Sequence, residues 1–94
     1  MLRGELQEIE CAVIAAEKGR LEAELRAQAR RLVHRLGGTV AMFGLEQASA
    51  TAFELEREID GPAAAPAMRL LFDSLRLSLE LETGPAHERT SSAR

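Results

Sequence analysis

The reactive group best placed to do chemistry in this chain is a histidine in the stretch Leu32-Val33-His34-Arg35-Leu36-Gly37-Gly38-Thr39. A neutral imidazole is a competent nucleophile near neutral pH, provided something can reach it. Residues on a helix turn by about 100° each, which puts Leu25 and Phe43 about 180° from His34, and Leu32 and Leu36 about 160° from it. A core packed on those residues turns His34 toward water. Its nearest neighbours in angle, within about 60°, are Ala27, Arg30, Arg31, Gly37, Gly38 and Ala41. Four of these six are glycine or alanine, so a second protein could come close to the imidazole.

Each glycine inside a helix costs about 1 kcal/mol relative to alanine, so the pair Gly37-Gly38 needs a reason. Open access to His34 is one; a kink or an early helix end is the other. The arginines suit a phosphorylated imidazole. Arg30 and Arg31, one turn back, could screen its charge by charge-assisted hydrogen bonds, while the more lateral Arg35 suits a partner. Little else in the chain suggests a site. His87 has no cysteine or second histidine at metal-ligand spacing, so no metal site is expected. Cys11 is the single cysteine and reads as a small buried or half-buried hydrophobe. Nothing places Ser74 or Ser78 beside a base, and Glu8 with Glu10, and Glu54 with Glu56 and Glu58, read as solvated helix faces. No glycine-rich loop of the kind that cradles ATP is present.

The elements that must hold His34 follow from apolar spacing. Leu2, Leu6, Ile9, Val13 and Ala16 share one stripe of a helix over about 2 to 18, with Gly19 as its end. Leu21, Leu25, Ala29, Leu32, Leu36 and Phe43 predict a second helix over about 20 to 43, closed by Gly44. Leu45, Ala48, Ala52, Leu55 and Ile59 predict a third over about 45 to 60, stopped by Gly61-Pro62. Met68, Leu71, Phe72, Leu75 and Leu79 predict a fourth over about 65 to 82, its apolar face widened by Leu70, Leu77 and Leu81. With 94 residues, 46% of them hydrophobic, the chain supports one core and no more. The expected architecture is all-α, an antiparallel up-down four-helix bundle over 1–83 with His34 exposed on the second helix, and a disordered tail over 84–94. No apolar run approaches the ~20 residues that span a bilayer, and a formal net charge of -3 without a basic block argues against nucleic acid. A cytoplasmic protein is expected, monomeric or, as a less favoured alternative, dimeric.

The run from Ala29 to Leu45 resembles the signature of histidine-containing phosphotransfer (HPt) domains. In that family an exposed histidine is followed by Leu two positions on, Gly four on, a small residue five on and Gly ten on; here these are Leu36, Gly38, Thr39 and Gly44. One departure stands out: the family often has Lys three positions after the histidine, where this chain has Gly37. Arg30, Arg31 or the partner would then supply that charge. The resemblance implies a phosphorelay intermediate. His34 would take a phosphoryl group from a receiver-domain aspartate or a histidine kinase, hybrid kinases included, and pass it to the receiver domain of a response regulator. Such a carrier binds no cofactor itself, and the Mg sits in the receiver. The rival expectation is a helical adaptor or dimeric scaffold that docks a partner on Leu70, Leu77 and Leu81.

Overall fold

A computed structural model describes residues 2–83, and the expected tail, with His87, lies outside them. Four helices follow one another: α1 (Leu2–Glu17), α2 (Ala23–Met42), α3 (Glu46–Asp60) and α4 (Ala65–Thr83). No strand occurs among the described residues. The helices pack in a ring, α1 on α2, α2 on α3, α3 on α4 and α4 back on α1, so that α2 and α4 hold diagonal corners. The chain is an all-α four-helix bundle, as its periodicity predicts.

Glycine sets two of the three turns. Gly19 has φ +69°, and behind it Arg20 N–H donates to the Ala15 carbonyl at 2.7 Å and Gly19 N–H to Ala16 at 3.0 Å. Gly44, at φ +77°, repeats the pattern at the end of α2, with Leu45 N–H on Val40 and Gly44 N–H on Ala41, both at 3.0 Å. These paired bonds satisfy carbonyls that a helix end otherwise leaves open, and only glycine enters this backbone region without penalty. The third turn carries backbone bonds too, Gly61 N–H to the Arg57 carbonyl at 2.9 Å and Ala63 N–H to the Glu58 carbonyl at 2.7 Å, and side chains reinforce it. Arg26 donates from Nε to the Ile59 carbonyl at 2.7 Å and from Nη2 to the Gly61 carbonyl, while the Glu58 carboxylate accepts from Ala64 N–H at 2.9 Å.

The core draws Ile9, Ala12 and Val13 from α1, Ala29, Val33, Leu36 and Val40 from α2, Ala48, Ala52, Leu55 and Ile59 from α3, and Met68, Phe72, Leu75 and Leu79 from α4. Three expectations need correction. The buried stripe of α2 is rotated toward His34 by about 50° relative to the one read from its leucines, because Val33 and Val40 are fully buried while Leu21, Leu25 and Leu32 are only half-buried. Phe43, placed in the core by its spacing, stands 75% exposed, since α2 ends one residue before it. Cys11 is exposed as well, on the outer face of α1 with Gln7 and Ile14.

The α1–α4 contact carries a charged cluster. Arg69 donates from Nε to Glu17 at 2.9 Å and from Nη1 to Glu10 at 3.3 Å and Asp73 at 3.4 Å, with its guanidinium carbon 5.9 Å from the Phe72 ring centroid. The hydrogen bond from Arg69 holds the Glu17 carboxyl below its ordinary range. A carboxyl with a depressed folded-state pKa stabilises the fold above its unfolded value, and that contribution disappears as pH falls through the folded one. Arg69→Met should therefore melt below wild type near about pH 7, with the gap closing toward about pH 3; a gap independent of pH would contradict the pairing. The glycine pair supplies a second test. A Cβ on Gly37 would meet Phe53 Cε1 at 3.0 Å and Ala52 Cβ at 3.3 Å, whereas one on Gly38 meets nothing within 4 Å. In urea denaturation Gly37→Lys should lose about 1–3 kcal/mol by overpacking, and Gly38→Ala should gain about 0.5–1 kcal/mol from helix propensity.

Candidate functional site

His34 lies in the middle of α2, on the shoulder that faces α3, with its side chain 67% exposed. The α3 residues on the flank toward α2 are Ser49, Phe53, Glu56 and Asp60, spaced by four, three and four, which aligns them along one edge of that helix. This edge is the near wall of the site. Ser49 Oγ donates to the Gly37 carbonyl at 3.1 Å, a buried bond that pins one end of the seam between the helices. Arg26 pins the other through the Ile59 and Gly61 carbonyls. Between these pins Glu56 meets His34: Nδ1 is 3.0 Å from Oε1 and 3.1 Å from Oε2.

That contact fixes the chemistry available to the imidazole. An ionised carboxylate only accepts hydrogen bonds, so Nδ1 is the donor to Glu56, and in the neutral ring the lone pair then belongs to Nε2. The exposed imidazole keeps one nitrogen free for an incoming electrophile. Phe53 borders the ring, with centroids 6.0 Å apart and planes inclined at 59°. Glu56 is far less exposed than His34, at 18% of its side chain.

The residues grouped around His34 on helical geometry part company in three dimensions. Ala27 is half-buried and Ala41 exposed, and both lie on the His34 side of α2. Gly38 is exposed with open space above it. Gly37 is buried, not open: its missing side chain makes room for Phe53 and Ala52 of α3 instead of clearing the surface. The arginines divide between the two sides of α2. Arg30 turns to α3, 3.8 Å from Glu56 Oε2 and 3.8 Å from Asp60 Oδ1. Arg31 and Arg35 are exposed on the opposite side, lining a shallow depression with Glu8, Gln28 and Leu32.

Glu56 and Phe53 were not legible as site residues in the sequence, where the acidic run of α3 reads as a solvated face. The available signal was the spacing of Ser49, Phe53, Glu56 and Asp60 beside the apolar stripe, but only knowledge of which flank meets α2 gives it meaning. Among the described residues no cluster of His, Cys, Asp and Glu could hold a metal ion, and no helix is long and apolar enough to cross a membrane.

A sequence model of the Hpt domain matches residues 1–83. No curated protein and no solved structure matches the chain. With a match that extends over all four helices, the chain belongs to the Hpt family of histidine-containing phosphotransfer domains, which carry phosphoryl groups as phosphorelay intermediates and are not themselves enzymes.

Proposed function

We propose that His34 is the phosphoryl carrier of this domain, with Nε2 as the attacking atom. The observation that carries this reading is the Glu56 carboxylate on Nδ1 of an exposed imidazole. In the forward step the Nε2 lone pair attacks the phosphorus of an acyl phosphate on a receiver aspartate. The N–P bond forms, the P–O bond breaks, and the carboxylate leaves with the electron pair. Bond formation puts positive charge on the ring, and Glu56, already accepting the Nδ1 proton, stabilises that charge without reorganisation. The reverse step discharges the group onto a second aspartate. Receiver domains and histidine kinases, the partners that family membership implies, would supply the Mg and the remaining transition-state electrostatics.

The surroundings support close docking. Gly38 has no packing reason to lack a side chain, and with Ala41 it leaves the approach to His34 clear. Arg31 and Arg35 offer positive charge to one side, and exposed Met42 and Phe43 offer apolar surface beyond. A second reading has an observation of its own. Leu70, Leu77 and Leu81 stand 68%, 55% and 70% exposed along the outer face of α4, where a helical adaptor or a dimer could be built.

On the phosphotransfer reading, phosphorylated receivers or kinases should give the wild-type protein an acid-labile, alkali-stable label that His34→Gln lacks; equal labelling of the two proteins would sink it. Glu56→Gln should slow transfer by about 10- to 100-fold while still accepting label, consistent with the ~1.5–3 kcal/mol of a hydrogen bond to a charged group. Leu77→Glu separates the second reading. It should leave labelling and the mass seen by light scattering unchanged if the domain acts as a monomeric carrier, and should lower that mass if α4 pairs two chains.

A further inference from the structure

We propose that Arg30 is a positioning residue for transfer at His34, acting through Glu56 and not as a ligand of the phosphoryl group. The proposal rests on the reading of His34 as the carrier. Along the seam between α2 and α3 four side chains follow in order, Asp60, Arg30, Glu56 and His34. The Arg30 guanidinium lies 3.8 Å from a carboxylate oxygen at each end, by Nη1 from Glu56 Oε2 and by Nε from Asp60 Oδ1. Glu56 is the most enclosed of the three at 18% side-chain exposure, against 42% for Arg30 and 73% for Asp60, so its pull on the cation is the least screened by water.

Two consequences follow for the imidazole. A carboxylate held only by His34 is free to rotate about its own bond and to lose the Nδ1 contact; Nδ1 faces both oxygens, and a cation on the outer side of Oε2 restricts that rotation. The carboxylate also places negative charge beside a ring that must accept a dianionic group, and Arg30 offsets it. The location of Arg30 decides between this role and direct phosphate binding. Both of its acidic partners lie on α3, and one of them, Glu56, is the residue at Nδ1, while the phosphoryl group would bond to Nε2 on the other edge. Arg31 and Arg35, on the far flank of α2, carry no such commitment to α3.

The test combines Arg30→Met and Arg30→Lys with Glu56→Gln, and reads the transfer rate from a phosphorylated receiver together with the imidazole ¹⁵N shifts of unphosphorylated His34. Arg30→Met should slow transfer about two- to fivefold and raise the fraction of ring protonated at Nε2, with partial rescue by lysine. In the Glu56→Gln background the same change should have no further effect on either readout. Equal slowing in both backgrounds, or faster loss of label from phosphorylated His34 with unaltered ¹⁵N shifts, overturns the proposal and makes Arg30 a phosphate ligand. The ¹⁵N shifts need no phosphoryl donor. Unaltered shifts in Arg30→Met therefore reject the role of Arg30 even if His34 proves not to be the carrier, and failure of labelling alone rejects the carrier reading.

Discussion

The close approach of α2 to α3 at Gly37 is the constraint on which the site depends. A Cβ at that position would stand 3.0 Å from the Phe53 ring and 3.3 Å from Ala52 Cβ, so the two helices meet there with no room for a side chain unless Phe53 shifts. Everything on the seam inherits that spacing. Ser49 reaches the Gly37 carbonyl, Arg26 reaches the end of α3, and Glu56 comes within hydrogen-bond distance of His34. Side chains the size of glutamate and histidine span only a narrow range of helix separations. A bulkier residue at 37 would displace the Phe53 ring that borders His34, so the close contact at Gly37 and the polar centre of the site are coupled.

Electrostatics on the domain are local. The chain has a formal net charge of -3, yet His34 sits in a stretch with Arg30, Arg31 and Arg35 on one helix. α3 answers that stretch on one side only. Glu56 and Asp60 take up Arg30, leaving Arg31 and Arg35 exposed toward the α1 flank. The imidazole therefore has a carboxylate on its α3 side, which suits the positive charge the ring would gain in the proposed phosphorylation, and guanidinium groups on the other flank. A uniform basic patch would lack the first of these features.

The sequence made the helices legible because each apolar stripe runs for four or five repeats and its ends carry their own signals. Gly19 and Gly44 are spent on left-handed turns and Gly61-Pro62 on a stop, so the boundaries fall within three residues of those expected. The exposure of His34 was legible for the same reason. Rotation of the core stripe by about 50° was not, since leucine spacing favours Leu25 and Leu32, and only the tighter packing on α3 selects Val33, Gly37 and Val40. Glu56 was hidden by the same ambiguity. A helix with an apolar stripe has two polar flanks, and intrahelical spacing does not say which one meets the neighbour.

Two adjacent glycines thus carry opposite explanations. Gly37 is explained by packing, because Phe53 and Ala52 of α3 occupy the space its side chain would fill. Gly38 is not, because its surroundings are empty and alanine there would favour the helix. The helix forgoes that stabilisation one turn beyond an exposed histidine, where the proposed docking of a partner would use the open space. The diagonal placement of α2 and α4 then matters for assembly, since the exposed leucines of α4 lie on the opposite side of the bundle from His34. A protein bound at α4 would leave the approach over Gly38 and Ala41 open, so tethering through one face and the phosphoryl exchange proposed at the other would be sterically independent.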